Sequence, residues 1–288
     1  MARLPDGIDT AELTVVARTV LLDALEALGP HREAVVLVGA QAVYHHTETL
    51  PACLGVAAYT SDGDLGLDPS RLCDEPLIEE AMTAARFSRQ HPDGRNAQPG
   101  MWWKRQIVGG NDLAISVDLL VPAELAPGTR RSVLIPPHDR MALHRVAGLG
   151  VAMEDDTPGT IAAFDPAVDS RTMTVEVAGI PALLVAKAHK LGERLAEQRL
   201  DRLIDKDASD VIGLMLASDP YNVADTFDRL CHVDRVAEAT RQGLDYLRQL
   251  FGRSSAPGIA MAIRALRGVR DPEEIRNLAP AYVALQPT

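Results

Sequence analysis

The order of strand and helix patterns constrains the fold of this chain most. Before residue 181, short apolar runs that are typical of strands alternate with helical patterns. Beyond that residue the sequence has helical periodicity almost throughout, with breaks near Asp219-Pro220, 254–258 and Asp271-Pro272. This order predicts an α+β protein, in which a mixed sheet with flanking helices is followed by a helical C-terminal half.

The same change of pattern divides the 288 residues into two predicted units, a sheet domain over 1–180 and a helical domain over 181–288. Hydrophobic residues make up 47% of the chain, so it can bury a sizeable core. The net charge of −11 argues against a general nucleic-acid coat protein, although a local basic groove on an acidic protein is compatible with a nucleic-acid substrate. No segment is apolar over the ~20 residues of a membrane span, and none has the pattern of a signal peptide. We therefore expect a cytoplasmic protein with no membrane partner.

Local patterns predict the elements of the first half in more detail. Apolar runs, alternation and turn residues predict helices over 9–28 and 76–90, strands over 34–40, 55–69 and 132–137, and a hairpin over 101–122. Gly, Asp and Pro accumulate over 148–170, which predicts a loop or the boundary of an insertion. Near Pro181 a strand pattern changes into a helical one, and proline is favoured in the first turn of a helix.

Two aspartates share one face of the second predicted strand. In "TSDGDLGLDP", Thr60, Asp62 and Asp64 alternate with Leu65 and Leu67, which lie on the other face. The Cα atoms of the two aspartates would be about 6–7 Å apart, so both carboxylates could reach one hard cation, which would offset their repulsion. A solvated turn capped by aspartates is the alternative, and a lone DxD pattern does not decide between them.

A third aspartate lies in the otherwise apolar run "LAISVDLLVP". A carboxylate such as that of Asp118 is costly in an apolar strand unless it is paired or bound to a metal. An edge-strand aspartate facing water is the alternative. If the hairpin places this strand beside the DxD strand, three carboxylates converge, as in two-metal sites for phosphoryl and nucleotidyl transfer.

Two further features favour phosphate binding. Gly39 and Ala40 follow a buried strand and begin a helix, where free backbone N–H groups and the positive end of the helix dipole attract anions. Lys187, Lys190 and Arg194 recur on one face of a later helix, where they could meet a triphosphate. A solvated, salt-bridged helix face is the alternative for these three residues.

Together these segments resemble one family. "VLVGAQAV", "TSDGDLGLDP", "LAISVDLLVP", "HKLGER" and "DKDASDVIGL" occur in the order found in the nucleotidyltransferase superfold, in its AbiEii/MenT-type branch of bacterial nucleotidyltransferase toxins. The resemblance covers roughly Val35 to Leu214, most of the chain. The DxD pattern is unspecific, and its combination with the last two segments is considerably more specific.

The resemblance implies a nucleotidyltransferase that moves a nucleoside monophosphate from an NTP to an acceptor hydroxyl with Mg²⁺ as cofactor. It implies that Asp62 and Asp64 hold the catalytic Mg²⁺ and that Asp118 is the third carboxylate, which binds a second metal or activates the attacking hydroxyl. The implied acceptor is tRNA or a protein hydroxyl, and the implied role includes the toxin of a toxin–antitoxin pair, with an antitoxin protein as partner.

The resemblance also implies roles around the phosphates. Lys190 would contact the nucleotide phosphates, and Ser61 would contact phosphate beside the first catalytic aspartate. Asp207 matches the catalytic aspartate of the family's [KR]DxxD element, and Asp210 would support that helix.

The chain departs from the family at its phosphate turn, where a glycine is commonly followed by Gly, Ser or Thr and this sequence has Gly39-Ala40. A missing hydroxyl donor motivates one alternative, a catalytically inactive nucleotidyltransferase-like binding or regulatory protein. A small-molecule nucleotidyltransferase of the aminoglycoside type is another, which keeps the chemistry and changes the acceptor. The preferred NTP and the oligomeric state are open at this point.

Overall fold

Helix α1 (Thr10–Ala27) begins the part of the chain that the computed structural model describes, which comprises residues 9–50, 60, 62–126, 128–197 and 204–288. Asp9 caps the helix by accepting a hydrogen bond from the N–H of Ala11 at 2.8 Å. The helix predicted over 9–28 is therefore confirmed, and its apolar side is buried.

Within the described ranges, seven strands form one mixed sheet, and α1 packs against one of its faces. The strands are β1 (Val35–Val38), β2 (Asp62–Leu67), β3 (Met101–Val108), β4 (Asn111–Pro122), β5 (His144–Val146), β6 (Asp156–Ala162) and β7 (Thr172–Ala178). Their order across the sheet is β3-β4-β2-β1-β7-β6, and β5 pairs with β4. β2 runs parallel to β4 and antiparallel to β1, which itself runs parallel to β7. This sheet, together with the helical C-terminal half, confirms the α+β class.

Two short helices complete the first half. α2 (Gly39–Thr47) follows β1 directly, as the strand-to-helix pattern predicts, and α3 (Ile78–Ala84) is shorter than the helix predicted over 76–90. The chain leaves α3 at Arg86, which has a positive φ, and Ser88 then pairs with Trp103 at the sheet. Pairing with β3 therefore ends the helical pattern early.

Two of the predicted elements are wrong. Residues 148–170 are not a loop, since they contain a 3₁₀ helix (Gly150–Met153) and strand β6, which pairs with β7 along its whole length. β6 is an edge strand of the sheet and has a partner strand on one side only. An edge strand tolerates a proline such as Pro158, because its N–H groups are needed for pairing on that side only. The strand predicted over 132–137 is only an isolated bridge between Ser132 and His144.

The helical half follows β7 as predicted, with Pro181 in the first turn of its first helix. The helices are α4 (Ile180–Ala196), α5 (Asp205–Leu216), α6 (Pro220–Leu230), α7 (Ala237–Phe251), α8 (Pro257–Ala265) and α9 (Pro272–Ala284). Asp219 and Asp271 cap α6 and α9 at two of the predicted breaks. None of the helices in the described ranges has the length and apolar character that a membrane crossing requires. The division into two domains at residue 180 stays a prediction.

The two faces of the sheet have different neighbours near the DxD strand. On one face, Gly63 leaves room for Leu21 of α1, since an added Cβ would lie 3.0 Å from its Cδ1. Leu65 and Leu67 share that face and are fully buried. On the other face, Gly66 lies against Met153 of the 3₁₀ helix. Asp62 and Asp64 therefore lie on the face opposite α1, as the alternation in the sequence predicts.

Candidate active site

Asp64 and Asp118 are direct neighbours across two paired strands. The register of β2 and β4 pairs Asp62 with Ser116 and Asp64 with Asp118. Because the strands are parallel and in register, the two aspartates lie on the same face, with their Cα atoms about 5 Å apart. Asp62 lies on the same face of β2, two residues before Asp64. The structure thus places the DxD strand beside the strand of the third aspartate.

This neighbourhood changes the ionisation of both carboxyls. Burial raises the pKa of Asp64 to about 6, with a further contribution from the charge of Asp62. Burial also raises the pKa of Asp118 well above its ordinary value, and the charges of Asp64 and Asp62 add to the effect. Oδ1 of Asp118 is buried and has no hydrogen-bond partner. A hard cation would relieve both the repulsion and the unsatisfied oxygen, so the donor set fits Mg²⁺ chemically.

Over the described ranges, no group of three or more His, Cys, Asp or Glu side chains is placed so that it could hold a metal ion. The Mg²⁺ centre of Asp62, Asp64 and Asp118 therefore stays a prediction. The raised pKa values and the unpartnered oxygen of Asp118 are the observations that support it.

Thr60 orients the first carboxylate of the cluster. Its buried hydroxyl donates to Oδ1 of Asp62 at 2.9 Å and lies 3.1 Å from the carbonyl oxygen of the same residue. The sequence places Thr60 on the face of the aspartates but does not reveal this hydrogen bond. Ser61, the predicted phosphate contact, lies outside the described residues.

Gly39 is required by the close approach of Asp64. It is the first residue of α2, it has a φ of 66°, and a Cβ added to it would lie 1.9 Å from Oδ2 of Asp64. The preceding residue, Val38, offers no side-chain cap to the helix N-terminus. The first turn of α2, with Ala40, therefore begins directly beside the carboxylate cluster, where phosphate binding by its N–H groups stays a prediction.

Lys187 is buried, which argues against the predicted contact with a nucleotide. Its side chain is 8% exposed, and its Nζ donates to Oδ1 of Asp207 at 2.9 Å and to Oδ2 of Asp210 at 2.7 Å. Although burial opposes it, these two carboxylates raise the pKa of Lys187 well above its ordinary value. The ammonium therefore ties α4 to α5, and we correct its role from nucleotide binding to support of the site.

Lys190 is the accessible lysine of this helix face. Its side chain is 41% exposed, and its Nζ donates to Oδ1 of Asp207 at 2.8 Å. It also lowers the pKa of Asp64 and of Asp118 against the effect of burial, so its charge lies near the carboxylate cluster. The position is suitable for the predicted contact with nucleotide phosphates.

Asp207 organises the basic side chains of α4. Besides the two lysines it has Nη1 of Arg194 at 3.5 Å from its Oδ2. Burial would raise the pKa of Asp207, but the charges of Lys187 and Lys190 hold it well below its ordinary value, so this carboxylate is ionised. Asp210 is fully buried and accepts from Lys187 and Lys206. The predicted support of the helix by Asp210 agrees with these contacts.

Two residues near the carboxylate cluster, Arg131 and His144, were not predicted from the sequence. Arg131 lowers the raised pKa of Asp118, so its guanidinium lies near that carboxylate. Burial, followed by the charge of Arg131, lowers the pKa of the neighbouring His144 to about 4, so its imidazole is neutral near pH 7. Arg131 comes from an irregular segment, and no local pattern could have connected it with Asp118.

No protein-family model and no curated protein sequence matches this chain. The resemblance to nucleotidyltransferases therefore rests on the sequence motifs alone.

Proposed function

We propose that the protein is a Mg²⁺-dependent nucleotidyltransferase that transfers a nucleoside monophosphate from an NTP to an acceptor hydroxyl and releases pyrophosphate. The observation that carries this proposal is the pairing of Asp64 with Asp118 across β2 and β4, with Asp62 on the same face. Three carboxylates of one sheet face, beside a lysine and a helix N-terminus, form an arrangement suited to the phosphates of a metal-bound nucleotide.

Asp62, Asp64 and Asp118 would hold the metal. When bound, Mg²⁺ neutralises the charge of the phosphates and of the leaving pyrophosphate and lowers the pKa of a coordinated hydroxyl. Asp118 either completes the ligand set or accepts the proton of the attacking hydroxyl. Thr60 keeps the carboxylate of Asp62 in place through its hydrogen bond of 2.9 Å.

The other groups of the site position the substrate. Lys190 donates to phosphate oxygens from the α4 side. Asp207 holds the ammonium of Lys190 in position, because its Oδ1 accepts a hydrogen bond of 2.8 Å from Nζ. The N–H groups at the beginning of α2, from Gly39 and Ala40, offer a second set of donors. Lys187 and Asp210 keep α4 and α5 in register and make no contact with the substrate.

The acceptor is a hydroxyl of tRNA or of a protein, and the biological role is that of a toxin controlled by an antitoxin protein. This part of the proposal rests on the resemblance to AbiEii/MenT-type proteins. Because NTPs and tRNA are intracellular compounds, the proposal includes a cytoplasmic location.

Incubation with NTPs labelled at the α-phosphate tests the proposed activity. Each of the four NTPs is combined with Mg²⁺ and with total tRNA, a mixture of proteins or a set of aminoglycosides, and label transfer is measured. We expect transfer to tRNA or protein. Transfer to aminoglycosides alone selects a small-molecule transferase, whereas no transfer together with no binding of Mg·NTP refutes the proposal. Binding without any transfer supports a regulatory nucleotide-binding protein.

Two variants of strand β4 provide a matched control. Asp118→Asn removes the charge of the predicted third carboxylate, and Asp112→Asn removes an exposed charge that pairs with Arg105 on the neighbouring strand. We expect Asp118→Asn to abolish transfer and Asp112→Asn to leave it unchanged. Equal activity of both variants would show that Asp118 has no part in the reaction.

A further inference from the structure

Two adjacent tryptophans of β3 lie on opposite faces of the sheet. Trp102 belongs to the core, where it is 1% exposed and its Nε1 donates to the carbonyl oxygen of Ala142 at 3.0 Å. Trp103 pairs with Ser116 of β4, which itself pairs with Asp62 of β2. Residues that pair directly across a sheet lie on one face, so Trp103 shares the face of the carboxylate cluster, and its Cα lies about 10 Å from that of Asp62.

The side chain of Trp103 is held in place by its neighbours. Its backbone exchanges two hydrogen bonds of 2.8 Å with Ser88. The imidazole of His91 packs against the indole in a T-shaped contact, with 4.8 Å between the ring centroids. Nδ1 of His91 in turn accepts a hydrogen bond from the N–H of Asp93 at 3.1 Å. The indole is therefore restricted before any ligand binds, which lowers the entropy cost of binding.

The sheet face around Trp103 is open. The indole is half-buried, and on the same face of the hairpin Ile107 is 65% exposed and the side chain of Arg105 is 65% exposed. The other face of the hairpin is covered by α1, since Nζ of Lys104 donates to Asp23 of that helix at 2.7 Å. A restricted, partly exposed indole on an open face offers a surface on which another flat ring can stack.

Trp103 and the first turn of α2 lie on opposite sides of the DxD strand. The order across the sheet is β3-β4-β2-β1, and α2 follows β1 directly, with Gly39 against Asp64. In an in-line displacement the attacking and leaving oxygens lie on opposite sides of the phosphorus. If the first turn of α2 holds the leaving pyrophosphate, the acceptor therefore approaches from the β4 side, which is the side of Trp103.

We propose that Trp103 stacks a nucleobase of an RNA acceptor whose hydroxyl reacts at the carboxylate cluster. This inference rests on the proposed function, because an acceptor is placed there only if the cluster binds a metal-bound nucleotide. The separation of about 10 Å from Asp62 is short enough for one nucleotide to reach from the indole to the metal. Every base can stack on an aromatic ring, so the site favours an unpaired nucleotide without a particular sequence. The base of the NTP is the other source of the same chemistry.

Binding measurements on the full chain test the assignment. Fluorescence anisotropy with a labelled oligoadenylate gives the affinity for single-stranded RNA, and calorimetry with Mg²⁺ and the four α,β-imido NTP analogues gives the affinity for nucleotide. We expect Trp103→Leu to weaken RNA binding about tenfold or more, which is a typical effect of losing one stacked base, and to leave nucleotide binding within about twofold. Trp103→Phe should restore part of the affinity for RNA. Ile107→Ala, a change on the same strand and face but farther from the cluster, should leave both affinities within about twofold.

Tryptophan fluorescence provides a readout that a purely structural role of Trp103 would not change. The chain contains two tryptophans, and Trp102 is buried in the core. We expect unlabelled oligoadenylate to quench the emission of the wild type, because a stacked base quenches indole fluorescence, and to leave the emission of Trp103→Phe unchanged. Equal quenching of the wild type and of Trp103→Phe would overturn the assignment.

The outcomes separate this inference from the proposed function. If Trp103→Leu weakens nucleotide binding and leaves RNA binding unchanged, the stacked base belongs to the NTP and the assignment to the acceptor is overturned. If the wild type binds Mg·nucleotide and Trp103→Leu changes neither affinity, the assignment of Trp103 is overturned and the proposed function stands. If the wild type binds no Mg·nucleotide, the proposed function is refuted and the assignment falls with it. Equal melting temperatures of the variants and the wild type exclude misfolding as the cause.

Discussion

Substitution of Gly39 by alanine should separate the geometry of the site from the stability of the fold. Gly39 has a φ of 66°, and a Cβ at this position would lie 1.9 Å from Oδ2 and 2.6 Å from Cγ of Asp64. The two atoms cannot occupy these positions together, so either the carboxylate rotates away or α2 shifts. In the first case the carboxylate of Asp64 leaves its place beside Asp118, and in the second the N-terminus of α2 moves away from the carboxylate cluster.

Gly110 offers a matched control. It has a φ of 78° in the turn between β3 and β4, and no atom lies within 4 Å of the Cβ that alanine would add. Both variants therefore meet the cost of a left-handed backbone, about 1–2 kcal/mol. Only Gly39→Ala meets the additional crowding, which costs about 1–3 kcal/mol in packed sites.

Urea unfolding and label transfer together measure the two effects. We expect Gly110→Ala to lose about 1–2 kcal/mol of unfolding free energy and to keep its transfer activity. Gly39→Ala should lose more stability and about 100-fold or more of its transfer rate, because a displacement of about 1 Å at a reacting centre has this effect. Transfer by Gly39→Ala at the rate of Gly110→Ala would refute the claim that the close approach of α2 and Asp64 matters for transfer.

The buried groups of the site lead to four further predictions. Lys187→Met should lower the free energy of unfolding by about 1–3 kcal/mol in urea titrations, because the buried carboxylates of Asp207 and Asp210 lose the cation that they share and keep only their other basic partners; an unchanged free energy of unfolding would contradict the buried network. Without metal, the unfolding free energy of the wild type relative to that of Asp64→Asn should fall as pH rises from about 4 through about 6, because the folded pKa of Asp64 is raised and the proton that stabilises the native state is lost over this range. The lowered pKa of His144 has the opposite effect on stability over this range, but it acts in both proteins and cancels in the comparison. Asp118→Asn should raise the melting temperature of the metal-free protein at pH 8, since it removes the repulsion between the carboxylates of Asp118 and Asp64. A lower melting temperature of this variant would contradict that repulsion. Thr60→Val should reduce transfer while Thr60→Ser keeps it, because only serine retains a hydroxyl for Asp62, and equal activity of the two would exclude that hydrogen bond from the mechanism.

Strong local patterns made much of the fold predictable from the sequence. The apolar run of β1, the alternation in β2 and the paired glycines between β3 and β4 each specify an element within a few residues, and all three are present. β6 was missed because its Gly and Pro residues have low strand propensity and its pairing with β7 determines its structure.

Local patterns also predicted part of the candidate site. Alternation placed Asp62 and Asp64 on one face, and the hairpin pattern suggested that Asp118 would lie beside them, as the register of β2 and β4 confirms. Helical spacing placed Lys187 and Lys190 on one face of α4. It could not show that Lys187 is buried in an ion pair with Asp210 of α5, whereas Lys190 is exposed. Contacts between distant segments of the chain decide such questions, and they leave no local pattern.

The most direct measurement of the central claim compares two labels on the same NTP. With Mg²⁺ and the acceptor, label at the α-phosphate should appear on the acceptor, whereas label at the γ-phosphate should appear only in pyrophosphate, because nucleotidyl transfer breaks the bond between the α- and β-phosphates. Asp64→Asn and the omission of Mg²⁺ should each abolish both signals. Transfer of the γ-label to the acceptor, or transfer of the α-label that survives both Asp64→Asn and the absence of Mg²⁺, would contradict the account.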